Sequence, residues 1–508
     1  MPEVNAQTRP TYTRRDLIAR WWSRPKAVAV AVAGATSMAA TALAQAGGFG
    51  TREAAHLLRR AGFGGTPQEI EDLAAKGRQG AVDYLVDFEQ VSNAAMEDAL
   101  SALVQDVPRG ERAEPGKIDL NTLRGLQTWW TYRMAHTARP LEEKMTLFWH
   151  DHFATAISKV NREDYMLGQN RLFREMALAN FRDLLVEVSK DPAMIIWLDN
   201  NTNIKDAPNE NYGRELMELF TMGINHLVSG EPNYTETDIK EVARAFTGWT
   251  VRRQGFFFNR AQHDEGAKTV FGQSGNFGGE DIVDLIVERD ATAYFMAKKL
   301  WEFFAYENPS MDVLDELAEV YFDSGYDVKV LVRHLFNMDA FYGEQALFGQ
   351  IKSPAEYVAS SLRQLGMQFN DARGYGFSVV LMGQMDQQLF NPPTVAGWEG
   401  GTSWINTATL LVRYNAANTL SSINEPRIGA GFDANALLEG TDEDPERIVD
   451  KLLDQLGPLE VSDQTRMLLI DYLTDGDLAN FALDARTVES KVRGLAHLVL
   501  SLPEFQLN

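Results

Sequence analysis

Cysteine is absent from the 508 residues of the chain, and positive charge is scarce. The missing thiols exclude disulfide bonds, thiolate metal sites and cysteine nucleophiles. Lys and Arg number 48 against 71 Asp and Glu, which gives a net charge of -23. Such an acidic protein repels nucleic acid and anionic lipid headgroups, so no nucleic-acid partner is expected.

A long hydrophobic run is also missing. The most apolar stretch, residues 27–44, is rich in Ala and Val but contains Gly34, Thr36 and Ser37. A stable helical span needs about 20 predominantly apolar residues, so this stretch is too short and too mildly hydrophobic to form one. No other segment approaches that length, and we expect no stable membrane span in the mature protein.

The same stretch fits an export signal. An adjacent pair, Arg14 and Arg15, followed by apolar residues matches the twin-arginine pattern, and the apolar run comes after it. The run ends in small residues at alternate positions, which a signal peptidase accepts, so cleavage is expected after Ala44 or Ala46. Residues 1–46 are therefore predicted to be removed, which leaves a periplasmic or secreted protein.

Two alternatives to twin-arginine export stay open. A gap of about ten residues, which includes Trp21 and Trp22, separates the arginine pair from the apolar run. This gap leaves the general secretory route open as the path of export. The second alternative is that the segment is not cleaved and serves as a membrane anchor.

The mature chain, residues 47–508, has apolar residues three and four positions apart almost throughout. This periodicity predicts an all-α protein, a large multi-helical single domain with long loops. Thr235 and Asp238 match a capping box, which predicts a helix that begins directly after Thr235. One aromatic and glycine-rich region differs, and we expect at most a small β-hairpin near residues 251–279.

Four clusters could carry chemistry, and the first contains His150 and His152. Two histidines so close together suggest metal ligands. On an unbroken helix, however, residues two apart point about 200° away from each other, so both could bind one ion only if the helix ended there. The alternative is a buried, hydrogen-bonded histidine, because the apolar face of Leu141, Met145 and Phe148 continues to His152.

The second cluster lies on a predicted helix and contains Glu215 and Glu218. Residues three apart share a helix face, so the two acids can point the same way, as in helical carboxylate sites. Tyr212 and Arg214 of the same helix are candidate substrate contacts. Arg214 and Glu218 could equally form an ordinary surface ion pair. The preceding loop, residues 199–208, is rich in Asn and Asp, whose oxygen atoms also suit calcium or magnesium.

The third cluster is His263, Asp264 and Lys268, in the aromatic and glycine-rich region. A His–Asp pair with a lysine four residues later suits an acid–base or ligand set, because loops on a rigid scaffold often carry function. A turn held by a salt bridge is the alternative interpretation.

The fourth cluster is a loop that contains Trp398 and Trp404 and is shaped by Pro392, Pro393 and several glycines. The two indole rings could form a platform on which a sugar or a peptide stacks. The alternative is that they anchor a long loop in the core, which is the commoner use of tryptophan.

Together these clusters resemble a family of exported bacterial proteins, domain of unknown function 1800. The similar motifs are spread over essentially the whole mature chain, at residues 54–64, 140–145, 148–153, 209–219, 245–249, 263–268, 352–354, 392–398 and 502–506. One departure is Asp151, where relatives often carry Asn. The resemblance implies a periplasmic or secreted bacterial protein and assigns no activity. It also suggests a partner from the domain of unknown function 1501 family, which resembles the phosphatase and sulfatase superfamily.

Two classes of function follow from these residues. In the first, an exported metal-dependent hydrolase, histidines bind a divalent ion of unspecified identity, with Glu215 or Asp264 as a further ligand, and acidic and basic side chains perform catalysis. The predicted metal ligands are His150, His152 and His263, and the catalytic candidates are Glu215, Glu218, Asp264 and Lys268. The second class is a non-catalytic cell-surface binding or assembly protein, with Trp398 and Trp404 as contacts. A metal-free alternative among enzymes pairs carboxylates to cleave glycosidic bonds.

Overall fold

The computed structural model describes residues 13–22, 48–108, 110–253, 255–425 and 429–508. Helices form most of these residues, which confirms the all-α prediction. Among the helices so described, none is long and apolar enough to cross a membrane.

The chain divides into two compact units. Unit 1 comprises the described residues of Met1–Arg78, Glu344–Gln387 and Gly400–Asn508. Unit 2 comprises those of Gln79–Gly343 and Gln388–Glu399. Each unit therefore combines distant parts of the sequence, and the short segment 388–399 belongs to the unit that is built mainly from residues 79–343.

The α-helices of the described residues are numbered in chain order. They are α1 (Arg14–Trp22), α2 (Thr51–Arg60), α3 (Pro67–Ala74), α4 (Gly77–Val86), α5 (Ala94–Leu103), α6 (Leu123–His136), α7 (Pro140–His152), α8 (Ile157–Val160), α9 (Glu163–Glu175), α10 (Phe181–Lys190), α11 (Pro192–Trp197), α12 (Asn211–Glu218), α13 (Glu236–Ala245), α14 (Gly279–Val287), α15 (Asp290–Phe304), α16 (Met311–Asp323), α17 (Val328–Asn337), α18 (Pro354–Gln364), α19 (Ala372–Gln384), α20 (Thr407–Ser422), α21 (Ala434–Leu438), α22 (Pro445–Gln455), α23 (Asp463–Thr474), α24 (Ala485–Thr487) and α25 (Arg493–Leu500). Short 3₁₀ helices occur at Phe88–Gln90, Asn200–Thr202, Arg260–Gln262, Asp339–Tyr342, Gly401–Trp404, Leu478–Asn480 and Glu504–Gln506, and a π-helical turn, Val488–Val492, precedes α25.

Strands are few and short. Two antiparallel pairs lie where one hairpin was expected, β1 (Trp249–Arg252) with β2 (Gly255–Phe258), and β3 (Lys268–Val270) with β4 (Gln273–Gly275). A third pair joins β5 (Asn424–Glu425) to β6 (Gly429–Ala430). Each sheet has two strands, so helix packing, and not sheet pairing, organises the described fold.

Local sequence explains where several helices begin. The Thr235 hydroxyl accepts a hydrogen bond from the Asp238 N–H (3.2 Å), and the Asp238 carboxylate accepts one from the Thr235 N–H (2.8 Å). This reciprocal cap satisfies two backbone donors and confirms the predicted start of α13. Ser353 and Glu356 form the same arrangement at α18, with Pro354 at its first helical position.

The centre of unit 2 is formed by α6 and α7, which are buried on nearly every side. Every residue of α6 from Gly125 to Ala135 is buried, as is every residue of α7 from Pro140 to His150. Trp130 and Trp149 have no exposed surface. A helix enclosed on all sides must pair its polar side chains internally, which determines how the first cluster is arranged.

Helix α1 carries the arginine pair of the predicted export signal. Thr13 caps it, because its hydroxyl accepts a hydrogen bond from the Asp16 N–H (3.3 Å). The helix contacts α25, and Leu17 has no exposed surface. The apolar run and the expected cleavage positions lie outside the described residues, so the described part of the signal is a capped helix packed within unit 1.

Candidate functional site

His150 is part of the core of unit 2. Its side chain lies edge-to-face against the Trp130 ring at 5.1 Å, and its Nε2 accepts a hydrogen bond from the Phe390 N–H (3.0 Å). Burial lowers the pKa of His150 to about 3. The imidazole is therefore neutral at pH 7, and its one acceptor nitrogen is already bound to the backbone.

His152 contacts a different part of unit 2. Its Nε2–H donates to the Phe220 carbonyl oxygen (3.0 Å), and burial, followed by the charge of Lys299, lowers its pKa to about 3. Both histidines lie in the last turn of α7, which ends at His152, and their side chains diverge as helix geometry requires. The geometry of this cluster agrees with the alternative interpretation, in which both histidines are buried and hydrogen-bonded.

Asp151 holds the loop that contains Trp398. Its Oδ1 accepts a hydrogen bond from the Trp398 N–H (2.8 Å), and burial raises its pKa to about 6. Gly397 precedes that N–H with a φ of +79°, and a Cβ placed on it would lie 2.2 Å from Asp151 Oδ1. The loop therefore approaches α7 so closely that only glycine fits there.

The two tryptophans of the fourth cluster are buried. Trp398 is 9 % exposed and belongs to unit 2, whereas Trp404 is 7 % exposed and belongs to unit 1. Buried rings do not offer a stacking surface, so the interpretation as loop anchors fits both.

The third cluster is a turn held by internal bonds. The Asp264 carboxylate binds the Arg244 guanidinium at 2.7 and 3.2 Å, and the His263 Nδ1–H donates to the Thr247 carbonyl oxygen (2.8 Å). Lys268 is 1 % exposed, and its Nζ donates to the carbonyl oxygens of Asp264 (2.6 Å) and Gly266 (2.9 Å). These contacts match the salt-bridged turn, with Arg244 as the cation.

The second cluster keeps its carboxylates available. Glu215 and Glu218 are both half-buried on α12, and the Tyr234 hydroxyl donates to Glu218 Oε2 (3.2 Å). No described residue donates a hydrogen bond to the Glu215 carboxylate. Burial, followed by repulsion from Glu218, raises the pKa of Glu215. Its surroundings therefore favour the protonated form of Glu215.

The predicted substrate contacts of α12 are engaged elsewhere. Tyr212 is 2 % exposed, and its hydroxyl donates to Ser189 Oγ (2.5 Å), which places it in the core. Arg214 pairs with Glu236 (3.0 Å) and Glu210 (3.4 Å), and not with Glu218. Tyr234 was not foreseen, because a residue 16 positions after Glu218 gives no local signal.

The predicted metal ligands are not brought together. Among the residues that the structure describes, no group of three or more His, Asp or Glu side chains is placed to hold an ion. His150, His152 and His263 each use a ring nitrogen on a backbone group. Of the predicted site residues, Glu215 and Glu218 lie together on one helix face, and His263, Asp264 and Lys268 lie together in one turn.

Comparison with known proteins agrees with the motifs. A family model described as "Protein of unknown function (DUF1800)" matches residues 56–507. No curated protein and no solved structure matches the chain. The matched range contains all four clusters.

Proposed function

The chain belongs to the DUF1800 family, and we propose that it is an exported hydrolase that uses Glu215 and Glu218 as an acid–base pair. The observation that carries this proposal is the asymmetry of two carboxylates on one helix face. Glu215 has a raised pKa and no described hydrogen-bond donor, whereas Glu218 accepts a hydrogen bond from Tyr234. Carboxylates in such different environments are suited to opposite roles in proton transfer.

Glycoside hydrolysis is a reaction that two carboxylates with opposite roles can perform. Protonated Glu215 donates its proton to the leaving oxygen while the bond from that oxygen to the anomeric carbon breaks. Glu218, as the general base, takes a proton from the water whose oxygen bonds to the same carbon. The sum of these steps is the addition of one water across one bond, and it requires no other reactant.

The test is hydrolysis of aryl glycosides and oligosaccharides by Glu215→Gln and Glu218→Gln. Each amide keeps the shape of the side chain but removes its proton transfer, so kcat should fall about 10²- to 10⁴-fold. Glu187→Gln, an exposed glutamate on α10, is the matched control and should retain the activity of the unchanged protein. Full activity in either site variant would contradict the proposal.

Two further measurements separate the roles. A dinitrophenyl glycoside needs no proton for its leaving group, so it should restore much of the rate to Glu215→Gln and little to Glu218→Gln. Because Glu215 must be protonated, the rate should fall as pH rises through its pKa, and Glu215→Gln should lose that fall.

A divalent metal ion is not required by this mechanism. In the metal-dependent form of the proposal, with His150, His152 and His263 as ligands, His150 would have to give up its hydrogen bond from the Phe390 N–H, because that bond uses its acceptor nitrogen. His152 and His263 each donate one N–H to a carbonyl oxygen and keep the other ring nitrogen for an ion. Elemental analysis of the purified protein, with chelator-treated protein as control, distinguishes the two forms. A stoichiometric metal whose removal abolishes hydrolysis would favour the metal-dependent form.

A non-catalytic binding or assembly protein is the second candidate. It is favoured by the first and third clusters, whose polar groups are bonded inside the fold. A DUF1501 protein is its proposed partner. Co-purification of the two full-length proteins, retained in Glu215→Gln and Glu218→Gln, together with no hydrolysis of any substrate, would favour this candidate.

Export to the periplasm or beyond is proposed on the arginine pair of α1. Replacement of Arg14 and Arg15 by lysine in the full-length chain should leave the protein in the cytoplasmic fraction if the twin-arginine route is used. The general secretory route tolerates lysine, so unchanged export of this variant would contradict twin-arginine transport.

A further inference from the structure

Unit 2 contains a cleft of about 490 Å³ that none of the four sequence clusters lines. It lies among α5, α6 and α9, and three arginines, Arg133, Arg171 and Arg174, line it. Pockets that bind small molecules are commonly about 300–1,000 Å³ in volume. Most of the lining residues lie on helices, whose backbone groups are already paired, so side chains dominate recognition in this cleft. The other lining residues lie in the connection between α5 and α6, namely Val104, Asp106 and Leu120.

Two of the arginines are fixed by Glu143, which has no exposed surface. Its carboxylate accepts from Arg133 Nε (2.7 Å) and from Arg174 Nε and Nη2 (2.7 and 2.9 Å). Both guanidinium groups lie near the Trp129 ring, at 5.1 and 5.0 Å from its centroid. Burial alone would raise the pKa of Glu143, but Arg174 and Arg133 outweigh it and lower the pKa to about 2. This wall of the cleft is therefore charged and preorganised.

Arg171 differs from the other two arginines. It is exposed, and no described residue forms an ion pair or hydrogen bond with its guanidinium. It lies three residues before Arg174 on α9, so both side chains occupy the same helix face. Glu97, which also lines the cleft, is occupied by Arg133 at 2.6 and 2.8 Å. Arg171 is thus the guanidinium of the cleft that can pair with an incoming anion.

Acceptors and apolar surface complete the lining. Asp106 and Glu175 contribute carboxylates that accept no hydrogen bond from the described residues. Leu100 and Leu120 contribute apolar surface beside them. A carbohydrate offers matching groups, because its hydroxyls donate to carboxylates and its C–H faces pack on apolar side chains.

We propose that this cleft binds an oligosaccharide that contains a uronic acid, with the sugar carboxylate on Arg171 and the hydroxyls on Asp106 and Glu175. Arginine pairs with carboxylates through two parallel hydrogen bonds, which gives it the geometry for this role. The site goes beyond the hydrolase proposal, since it shares no residue with Glu215 and Glu218 and is tested by binding alone.

The experiment is calorimetric titration of the full-length protein with trigalacturonate, maltotriose and acetate. Trigalacturonate should bind more tightly than the neutral maltotriose, and raised salt should weaken it. Arg171→Ala should reduce affinity for trigalacturonate about tenfold or more, and Arg171→Lys should reduce it less, because lysine keeps the charge and loses the fork geometry. Arg486→Ala, an exposed arginine of unit 1, is the matched control and should leave the affinity unchanged.

The opposite results overturn the proposal. Equal affinity for trigalacturonate and maltotriose would show that the sugar carboxylate does not contribute to binding. Acetate binding as tightly as trigalacturonate would show that the sugar ring does not contribute. Absence of binding at about 10 mM trigalacturonate, or full affinity in Arg171→Ala, also overturns it. Because Arg171 is exposed, its variants should keep the melting temperature of the unchanged protein, so a lost affinity reports on the site.

Discussion

Burial controls the protonation of several side chains in unit 2. The pKa values of His150 and His152 are lowered to about 3, while burial raises that of Asp191, which caps α11, to about 7. A histidine that is neutral when folded but charged when unfolded stabilises the fold above its unfolded pKa, and this stabilisation is lost as the pH falls. A carboxyl with a raised pKa acts in the opposite direction, so the two kinds of residue partly compensate.

Replacement of His150 by glutamine should flatten the acid side of the stability profile. Glutamine can still accept from the Phe390 N–H but binds no proton when unfolded. Between about pH 6 and pH 4 the unchanged protein should lose about 1.4 kcal/mol more per pH unit than the variant. Urea denaturation at a series of pH values measures this difference. Parallel profiles would show that His150 is not the group that titrates.

The sequence could predict the divergence of the two histidines but not their partners. Helix geometry alone requires that His150 and His152 point apart. Their partners, Phe390 and Phe220, are 240 and 68 residues away along the chain, and no local pattern reports such distances. Local spacing likewise predicts that Glu215 and Glu218 share a helix face. The contribution of Tyr234 depends on a contact 16 residues away and was not predicted.

At the scale of elements, the C-terminal turn of α7 fixes the loop that carries Trp398. The contact joins Asp151 to the Trp398 N–H and requires Gly397 in a left-handed conformation. A motif rich in proline, glycine and tryptophan permits an exposed binding loop, although a buried anchor is the commoner use of tryptophan. The deciding factor is the close approach of α7, which is a tertiary contact and therefore not visible in the sequence.

Gly397→Ala should destabilise unit 2 by about 2–4 kcal/mol, because the new Cβ meets Asp151 and the backbone is strained. Gly230→Ala is the matched control, since Gly230 has a φ of +73° but nothing within 4 Å of its Cβ position. Gly230→Ala should lower the free energy of unfolding by about 1–2 kcal/mol, because it adds only the strain of a left-handed backbone. Equal losses in the two variants, measured by thermal unfolding, would show that the contact with Asp151 is unimportant.

At the scale of the whole molecule, the periodicity of apolar residues was sufficient to predict an all-α protein. Helices bury a stripe of side chains, and that stripe repeats along the sequence. The division into two units was not predictable, because each unit combines segments that are far apart in the chain. The aromatic and glycine-rich region formed two hairpins in place of one, since Phe271 and Gly272 supply a second tight turn with positive φ.

Helix α1 gives a prediction about unit 1. In the uncleaved full-length chain, Leu17→Ala removes a fully buried side chain and should weaken the packing of α1 by about 2–3 kcal/mol. Faster hydrogen–deuterium exchange in residues 13–19 would be the measured effect. Ala19→Ser, on the exposed side of the same helix, should leave the exchange unchanged. Equal exchange in Leu17→Ala and the unchanged protein would show that Leu17 does not hold the helix.

The packing of α1 on α25 also has a temporal consequence. Helices α1 and α25 are separated by almost the entire chain. Their contact therefore cannot form until the ribosome has released residues 493–500. Throughout synthesis α1 is a free nascent segment, and after synthesis it is docked through Leu17 while Arg15 stays exposed. The rate of translation therefore sets how long α1 remains undocked before it packs on α25.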